Sequence, residues 1–128
     1  MADKKIIRTD RAPLPIGPYN QAVLINNFLF VSGQIALTPD TGELVTAEIK
    51  SETKRVMENI GAILEAAGLD FNRIVKSTIF LTDMNNFSVV NEVYGSYFKE
   101  ETAPARETVQ VSKLPKGVNV EISVIAAS

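Results

Sequence analysis

The sequence predicts an α+β fold in which two helices pack on one face of a mixed six-stranded sheet. Segments with strand and helix patterns follow one another in the order strands, helix, strand, helix, strands, which is typical of such a layered domain. The chain has 128 residues, of which 45% are hydrophobic. This length and composition fit a single globular domain over residues 1–128.

The N-terminal part is predicted to be an extended loop followed by a β-hairpin. Residues 9–18 contain three prolines and one glycine, which exclude regular structure there. Strands are predicted at residues 19–25 and 28–31, and the two asparagines between them fit a hairpin turn because asparagine tolerates a positive φ angle. A second turn is predicted at residues 39–42, which read Pro-Asp-Thr-Gly.

Residues 46–67 form the clearest predicted helix, because their apolar side chains recur at steps of three and four. The stripe consists of Ile49, Val56, Ile60, Ile63, Leu64 and Ala67, with Thr53 filling its gap. Thr46 is predicted to cap the start of the helix, and Gly68 to follow its end. Most charged residues of the segment, including Glu52, are expected to lie off the stripe.

A strand at residues 74–82 is predicted to be covered on both faces. One face carries Val75, Ile79 and Leu81, and the other carries Ile74, Thr78 and Phe80. Two helices can cover only one face of the sheet, and the chain has no further element for the other. Another subunit of a cyclic oligomer is therefore expected to cover the second face.

The remaining predicted elements are one helix and two strands. An aromatic stripe at helical spacing predicts a core-facing helix over residues 86–98. Strands are predicted at residues 106–114 and 118–126, joined around Pro115-Lys116-Gly117. The last strand alternates apolar and polar residues, as a half-buried antiparallel strand does.

Composition excludes several kinds of site. The chain has no cysteine and no histidine, which excludes disulfides, thiolate nucleophiles, Ser-His-Asp triads and zinc sites built from these residues. A carboxylate-only metal site is not excluded, but the acidic residues form no Asp-rich loop, and no metal site is predicted.

Charge and hydropathy also limit the expected partners. The formal net charge is −2, and the basic cluster Lys4, Lys5, Arg8 and Arg11 is interpreted as a solvated terminal segment rather than a nucleic-acid site. No apolar run is long enough for a membrane span or a signal peptide. We therefore expect neither a nucleic acid nor a membrane as partner, and a cytoplasmic location.

Four polar positions could carry chemistry, and each also has a simpler explanation. Arg106 follows an Ala-Pro-Ala segment and could bind a carboxylate through two hydrogen bonds, or form a surface ion pair. Glu121 lies on the polar side of its strand, as a solvated glutamate would, and Tyr19 could simply be packed. Ser32-Gly33 indicates a bulge, a close approach of backbone to a ligand, or a plain turn.

A set of short motifs lies in order along nearly the whole chain. The motifs are Ile16-Gly17-Pro18-Tyr19, Phe30-Val31-Ser32-Gly33-Gln34, Asn59-Ile60, Glu65-Ala66-Ala67-Gly68, Val90-Asn91-Glu92-Val93-Tyr94, Pro104-Ala105-Arg106, Leu114-Pro115-Lys116 and Val120-Glu121-Ile122. As an ordered set they resemble the RidA (YjgF) family, the reactive-intermediate deaminases.

The resemblance implies a chorismate-mutase-like α+β fold and a homotrimer, a barrel-like assembly whose clefts between subunits bind small carboxylic acids. It implies the hydrolytic deamination of 2-iminobutanoate and 2-iminopropanoate, the tautomers of 2-aminocrotonate and 2-aminoacrylate that pyridoxal-phosphate enzymes release. The products are a 2-keto acid and ammonia. The resemblance implies that the enzyme itself uses no metal and no organic cofactor.

The resemblance also implies roles for individual residues. Arg106 would bind the substrate carboxylate, Glu121 would position and activate the attacking water, and Tyr19 would contact the imine end. Ser32 and Gly33 would shape the pocket floor. Because an imine carbon is already electrophilic, orientation and a carboxylate base can support this reaction without histidine.

Two further positions are predicted to bind substrate. Asn91 resembles the family's helix asparagine, and Thr108 stands where many relatives have a cysteine two residues after the arginine. The Thr108 hydroxyl could still donate or accept a hydrogen bond in the cleft. The loop at residues 99–102 looks short against some relatives, which leaves the preferred imine side chain open.

Two other functions remain as alternatives. A trimer of the same fold that only binds small carboxylates or a protein partner could keep the arginine and lose the glutamate, so the joint presence of Arg106 and Glu121 favours the enzyme. Ribonuclease activity or translation inhibition, a label that some relatives carry, is disfavoured by the acidic composition and the missing histidines.

Overall fold

The sheet and two helices form the two layers that the sequence predicts. The structure, a computed structural model, describes residues 3–128, so the first two residues of the predicted domain 1–128 lie outside the described residues. In chain order the elements are β1 (Lys5–Ile7), β2 (Ala22–Ile25), β3 (Phe28–Gln34), α1 (Ile49–Ala66), β4 (Ile74–Leu81), α2 (Phe87–Gly95), β5 (Ala105–Gln110) and β6 (Val120–Ala127). Over residues 3–128 the sheet has six strands in the order β1-β2-β3-β6-β4-β5, and β4–β5 is its one parallel pair. The predicted α+β class and the mixed six-stranded sheet are therefore confirmed.

The N-terminal basic segment contributes a strand to the sheet. The backbone of β1 pairs with β2, and Ile7 is buried, whereas the side chains of Lys4, Lys5, Arg8 and Arg11 are exposed. The interpretation of these four basic side chains as solvated agrees with their exposure, but the sequence did not predict the strand that their backbone forms. Three residues are too few to show a periodic pattern, so the pairing depends on the hairpin beside them.

The C-terminal strands are consecutive in sequence but are not neighbours in the sheet. β6 pairs antiparallel with both β3 and β4, and β5 pairs parallel with β4. β4 therefore lies between the two predicted strands that meet around Pro115-Lys116-Gly117. This order places β6 near the middle of the sheet and β5 at one edge.

Both predicted turns are confirmed. Asn26 and Asn27 have φ angles of 49° and 69°, and two consecutive left-handed residues are the geometry of a type I′ hairpin turn. In the second turn the Thr38 amide donates to the Glu43 carbonyl at 2.9 Å, and Gly42 has a φ angle of 71°.

The buried face of α1 contains the predicted apolar stripe and one charged residue that was expected to lie off it. Val56, Ile60, Ile63 and Leu64 are fully buried. Glu52 is fully buried as well, because its carboxylate accepts hydrogen bonds from the chain where β6 begins. Spacing alone does not reveal this role, since the donors come from a distant segment.

The prediction for the C-terminal end of α1 is confirmed, and that for its N-terminal end is wrong. Gly68 has a φ angle of 75°, and the Leu69 amide donates to the Leu64 carbonyl at 2.9 Å, as in a glycine-terminated helix. Thr46 does not cap the start. The residue preceding the helix, Glu48, is still extended with φ −135° and ψ 138°. The free amides of the first helical turn therefore follow Glu48, too far along the chain for the Thr46 side chain to bind them.

A bulge changes the predicted assignment of the two faces of β4. Ile79 and Leu81 are buried beneath the helices, but Ile74 joins them there, while Val75 is 46% exposed. The pairing of β4 with β6 shifts register just after Ile74. One extra residue moves the following side chains to the other face, so strict alternation fails at this point.

The sheet face opposite the helices keeps large apolar side chains exposed in the single chain. Examples are Phe28, Phe30 and Val109. A patch of this kind is typical of an interaction surface, and the subunit expected to cover it stays a prediction. Within residues 3–128, neither helix is long and apolar enough to cross a membrane.

Two glycine substitutions are expected to change stability in opposite directions. Gly68→Ala forces a side chain into the left-handed region and should lower the free energy of unfolding by about 1 kcal/mol. Gly95→Ala places alanine at the end of α2, where no heavy atom lies within 4 Å of an added Cβ, and should raise that energy by about 0.5 kcal/mol. Urea unfolding at one fixed protein concentration measures both. A loss of stability in Gly95→Ala as large as that in Gly68→Ala would contradict the assignment of the two backbone conformations.

Candidate functional site

A bulge in β3 begins the site. The pairing of β3 with β6 shifts between Val31 and Gln34, which leaves Ser32 and Gly33 out of the regular ladder. The Ser32 hydroxyl donates to the Asn20 carbonyl at 2.6 Å, and the Ser32 amide donates to the Gln21 carbonyl at 2.9 Å. The hydroxyl of Ser32 therefore fixes the bulge to the preceding loop.

Gly33 lies directly against the side chain of Glu121 on β6. A Cβ at position 33 would lie 2.6 Å from Glu121 Oε2 and 2.8 Å from its Cδ, so any side chain there would displace the Glu121 carboxylate. The sequence left a bulge, a close approach to a ligand and a plain turn open. The structure shows a bulge together with a close approach, and the neighbouring group is the Glu121 carboxylate.

A cavity of about 430 Å³ opens beside this contact. Tyr19, Gly33, Lys116 and Glu121 line it together with several apolar side chains, among them Leu14, Ile16 and Leu37. Its volume is within the range of small-molecule sites, which are mostly apolar with a few polar groups. Tyr19, Gly33 and Glu121, to which the family resemblance assigned one site, all line this cavity.

The carboxylate of Glu121 is half-buried and unpaired within the described chain. Among residues 3–128 it has neither a side-chain hydrogen bond nor an ion pair. Burial raises the pKa of the Glu121 carboxyl above its ordinary value, because the charged form loses hydration. A carboxylate with a raised pKa is a stronger base than an exposed one, as a general base requires.

Arg106 belongs to a second cluster, at the β5 edge of the sheet. Its Nη1 donates to Asn91 Oδ1 on α2 at 2.6 Å. Its guanidinium carbon lies 5.7 Å from the ring centre of Phe87 and 5.2 Å from that of Tyr94, so cation–π contacts also orient it. Because Asn91 uses a single acceptor atom, other guanidinium N–H groups remain for a carboxylate.

Thr108 lies on the same face of β5 as Arg106, two residues along the strand. Its hydroxyl is buried and, within residues 3–128, has no hydrogen-bond partner. A buried hydroxyl without a partner is rare, and a ligand or a second chain is one explanation. Asn91, Arg106 and Thr108 therefore form one group, which we call the arginine group.

The single chain does not bring the arginine group to the cavity. Arg106 pairs with Ser77 of β4, and Glu121 pairs with Phe80 of the same strand. Residues three apart on a strand point to opposite faces. Arg106 therefore lies on the helix side of the sheet and Glu121 on the uncovered side. Of the seven predicted site residues, Tyr19, Gly33 and Glu121 line the cavity. Ser32 lies next to it in the β3 bulge, and the other three lie elsewhere.

Lys116 is a cavity residue that the sequence indicated only as part of a turn and of the motif Leu114-Pro115-Lys116, without a role of its own. It has a φ angle of 57°, which is unusual for a residue other than glycine and costs energy. The Pro-Lys-Gly segment carries no other signal for a ligand. Only the structure shows that this turn closes one side of the cavity.

A larger depression, of about 610 Å³, lies on the outer side of α1. Arg11, Arg55, Glu65 and Asp70 contribute to its lining, and Arg11 is already paired with Glu65 at 2.7 Å. None of the predicted site residues lies there. Within the described residues no three acidic side chains are grouped as a metal site would require.

Comparison with known proteins shows extensive similarity. The model of the family described as Endoribonuclease L-PSP matches residues 9–128. A RutC family protein of Pyrococcus abyssi is 54% identical over 123 residues, which cover 96% of this chain and 96% of that protein. The 2-iminobutanoate/2-iminopropanoate deaminase of Mus musculus is 48% identical over 123 residues, covering 96% of this chain and 90% of the enzyme. The crystal structure of E. coli TdcF with bound serine is 47% identical in sequence, with a TM-score of 0.91, and covers 97% of this chain and 98% of that one.

The fold and the cavity define the class: a small α+β protein with a ligand-sized cavity beside a half-buried carboxylate. The chain belongs to the Endoribonuclease L-PSP family, which is the RidA (YjgF) family that its motifs resemble. Relatives named as deaminases and relatives named only by family are similarly close to it.

Glu121→Gln is expected to stabilise the protein near neutral pH. Because the folded pKa of Glu121 is raised, its contribution to stability is present below the unfolded pKa and is lost as pH rises through the folded pKa. The uncharged amide avoids that loss. Thermal unfolding at about pH 7 should give a higher Tm for the variant, and the difference should shrink towards about pH 4.

Glu107→Gln is the matched control, with the opposite sign. Hydrogen bonds from Thr78 and Lys76 lower the pKa of the Glu107 carboxyl, so its stabilisation is present above the unfolded pKa and is lost as pH falls. This variant should be less stable than the wild type near neutral pH. A Glu121→Gln variant that behaves in the same way would contradict the half-buried, unpaired carboxylate.

Proposed function

We propose that this protein is a 2-iminobutanoate/2-iminopropanoate deaminase, which hydrolyses reactive 2-imino acids to 2-keto acids and ammonia. The observation that carries the proposal is the half-buried, unpaired Glu121 carboxylate held against Gly33 in a ligand-sized cavity. The named deaminase relative supports the same activity. The proposal places the reaction in the cytoplasm, in line with a chain that lacks the cysteines of disulfide-bonded exported proteins.

In the proposed reaction the substrate imine is protonated on nitrogen, and Glu121 removes a proton from a water molecule whose oxygen attacks the imine carbon. The π electrons of the C=N bond move to nitrogen, which gives a tetrahedral carbon that carries a hydroxyl and a neutral amino group. Glu121 then gives its proton to the nitrogen, the C–N bond breaks, and the departing ammonia takes the hydroxyl proton as the keto group forms. Water and the protonated imino acid thus give keto acid and ammonium, with Glu121 acting as base and then as acid.

The substrate carboxylate is proposed to bind the arginine group. The guanidinium of Arg106 is fixed by Asn91 and by two aromatic rings, and the free Thr108 hydroxyl lies on the same strand face. Tyr19 lines the cavity with its side chain half exposed, and is proposed to contact the imine end of the substrate. An oriented substrate converts the attack of water into an effectively intramolecular step.

A complete site then requires a second copy of the chain. Arg106 and Glu121 lie on opposite sides of their own sheet, and the uncovered sheet face exposes Phe28 and Phe30. We propose a homotrimer in which the cavity of one subunit meets the arginine group of its neighbour. Closed cyclic symmetry repeats this one contact and covers every apolar face.

Binding of a small carboxylate without turnover is the second candidate. The relative crystallised with bound serine shows that an amino acid occupies a protein of this fold. A protein that only binds does not need an unpaired carboxylate with a raised pKa. The two candidates therefore differ in the role of Glu121, and turnover separates them.

The proposal predicts accelerated keto-acid release. A serine/threonine dehydratase generates 2-aminoacrylate or 2-aminocrotonate in situ, and keto-acid formation is followed with and without this protein. Glu121→Gln should lower kcat by about 10²–10⁴-fold, because the general base is lost, while ligand binding is retained. Arg106→Ala should mainly raise KM.

Ala66→Lys on α1 is the control for this assay, because Ala66 is exposed and does not line the cavity. It should keep the wild-type rate. No acceleration by the wild type, or an equal kcat/KM for Arg106→Ala and the wild type, would overturn the deaminase assignment. Ligand binding without turnover would support the second candidate.

The assembly is predicted to be a trimer that depends on the apolar sheet face. Light scattering coupled to size exclusion should give the mass of three chains for the wild type. Phe30→Lys places a charge within the exposed apolar face and should give smaller species, because the charge would be desolvated on assembly. Ala66→Lys should remain trimeric. A monomeric wild type with full activity would contradict the shared site.

A further inference from the structure

Glu52 of α1 is a buried acid that the proposed reaction does not use. Its side chain has no exposed surface, and it accepts three hydrogen bonds. Its Oε2 accepts from the Asn119 amide at 2.7 Å and from the Val120 amide at 3.1 Å, and its Oε1 accepts from Asn119 Nδ2 at 2.7 Å. Both carboxylate oxygens of Glu52 accept hydrogen bonds and neither donates one. This pattern suits the ionised form of a carboxyl group, which only accepts hydrogen bonds.

No cation balances this charge within the described chain. The ion pairs among residues 3–128 are Arg11 with Glu65 and Lys76 with Glu107, and neither involves Glu52. A buried carboxylate without a cation is costly unless hydrogen bonds satisfy it. The three hydrogen bonds from Asn119 and Val120 supply that satisfaction here.

The donors immediately precede the catalytic carboxylate of the proposed reaction. Asn119 and Val120 are followed by Glu121, and the Asn119 carbonyl accepts from the Thr82 amide at 3.2 Å. Val120 is fully buried on the helix side of the sheet. Glu52 therefore holds the start of β6 from the helix side of the sheet. On the uncovered side, Gly33 leaves room for the Glu121 side chain.

We propose that Glu52 is a positioning residue that determines the position of the Glu121 carboxylate against the β3 bulge. The inference rests on the proposed function, because it concerns the base of that reaction. Glu52 does not line the cavity, and it acts through the backbone amides of Asn119 and Val120 and the side chain of Asn119. Loss of its hydrogen bonds frees the start of β6 and lets Glu121 move away from Gly33 towards solvent.

The test compares four proteins: wild type, Glu52→Ala, Glu52→Gln and the control Thr53→Ala. Glu52→Ala should lower kcat by about 10- to 100-fold, because a misplaced base loses orientation, with KM within about threefold of the wild type. Glu52→Gln should recover most of kcat, since its oxygen can accept from both backbone amides while its nitrogen donates to a rotated Asn119 amide. Thr53 is buried next to Glu52 on α1, but its side chain donates a hydrogen bond only within its own helix, to the Ile49 carbonyl. Thr53→Ala should therefore keep the wild-type kcat and KM.

The pH profile separates positioning from a merely structural role. As Glu121 moves towards solvent its pKa should fall towards the ordinary value, and the acid limb of kcat should move to lower pH. The other titratable groups that line the cavity, Tyr19 and Lys116, are unchanged in these variants. A folded Glu52→Ala with the wild-type kcat and acid limb would overturn the proposal, as would a Glu52→Gln that loses as much kcat as Glu52→Ala.

A titration by NMR keeps the inference testable without turnover. The carboxyl carbon of Glu121 reports its pKa in wild type and in Glu52→Asp, a variant that retains the charge but shortens the side chain and serves where Glu52→Ala does not fold. A lower Glu121 pKa in Glu52→Asp supports positioning even if the wild type releases no keto acid, a result that would sink only the deaminase assignment. An unchanged Glu121 pKa in the folded variant would overturn the positioning role.

Discussion

Two helices cover one face of a six-stranded sheet, and this asymmetry governs where every functional group lies. The covered face holds the apolar core and the guanidinium of Arg106, which packs on aromatic rings of α2. The uncovered face holds Glu121 and its cavity. Because successive side chains of a strand point to opposite faces, the same sheet delivers side chains to both environments. One chain thus carries both polar groups of the proposed reaction and keeps them on opposite sides of the sheet.

The electrostatics of the cavity follow from close packing around one carboxylate. Gly33 has no side chain, so Glu121 can lie against the bulge and lose part of its hydration. The same burial that disfavours the charge makes the carboxylate a better proton acceptor. A chain without histidine can therefore supply, from glutamate alone, a stronger base than an exposed carboxylate. The proposed reaction needs no stronger catalytic group than this base, because an imine is already electrophilic.

Polar side chains on the buried face of α1 hold both walls of the cavity. Glu52 binds the start of β6, and Asn59, two turns along the helix, donates to the carbonyls of Ile35 and Leu37 at 3.1 and 3.0 Å. Ile35 and Leu37 line the cavity, as does Glu121. Buried polar groups of this kind add specificity to a core that apolar contacts alone would leave free to shift. The helix therefore fixes the shape of a site on the far side of the sheet.

The sequence by itself determined the α+β class, the hairpin turn at Asn26 and Asn27, the apolar stripe of α1 and the glycine after it. These features depend on local periodicity and backbone preference, which neighbouring residues settle. It also singled out Tyr19, Gly33 and Glu121. Only the tertiary structure decided that β4 lies between β5 and β6 and that Arg106 lies on the other side of the sheet from Glu121. It alone also showed that Glu52 is buried and that Lys116 lines the cavity. Each of these depends on pairing between distant segments, and a shift of one residue in register reverses the face of a side chain.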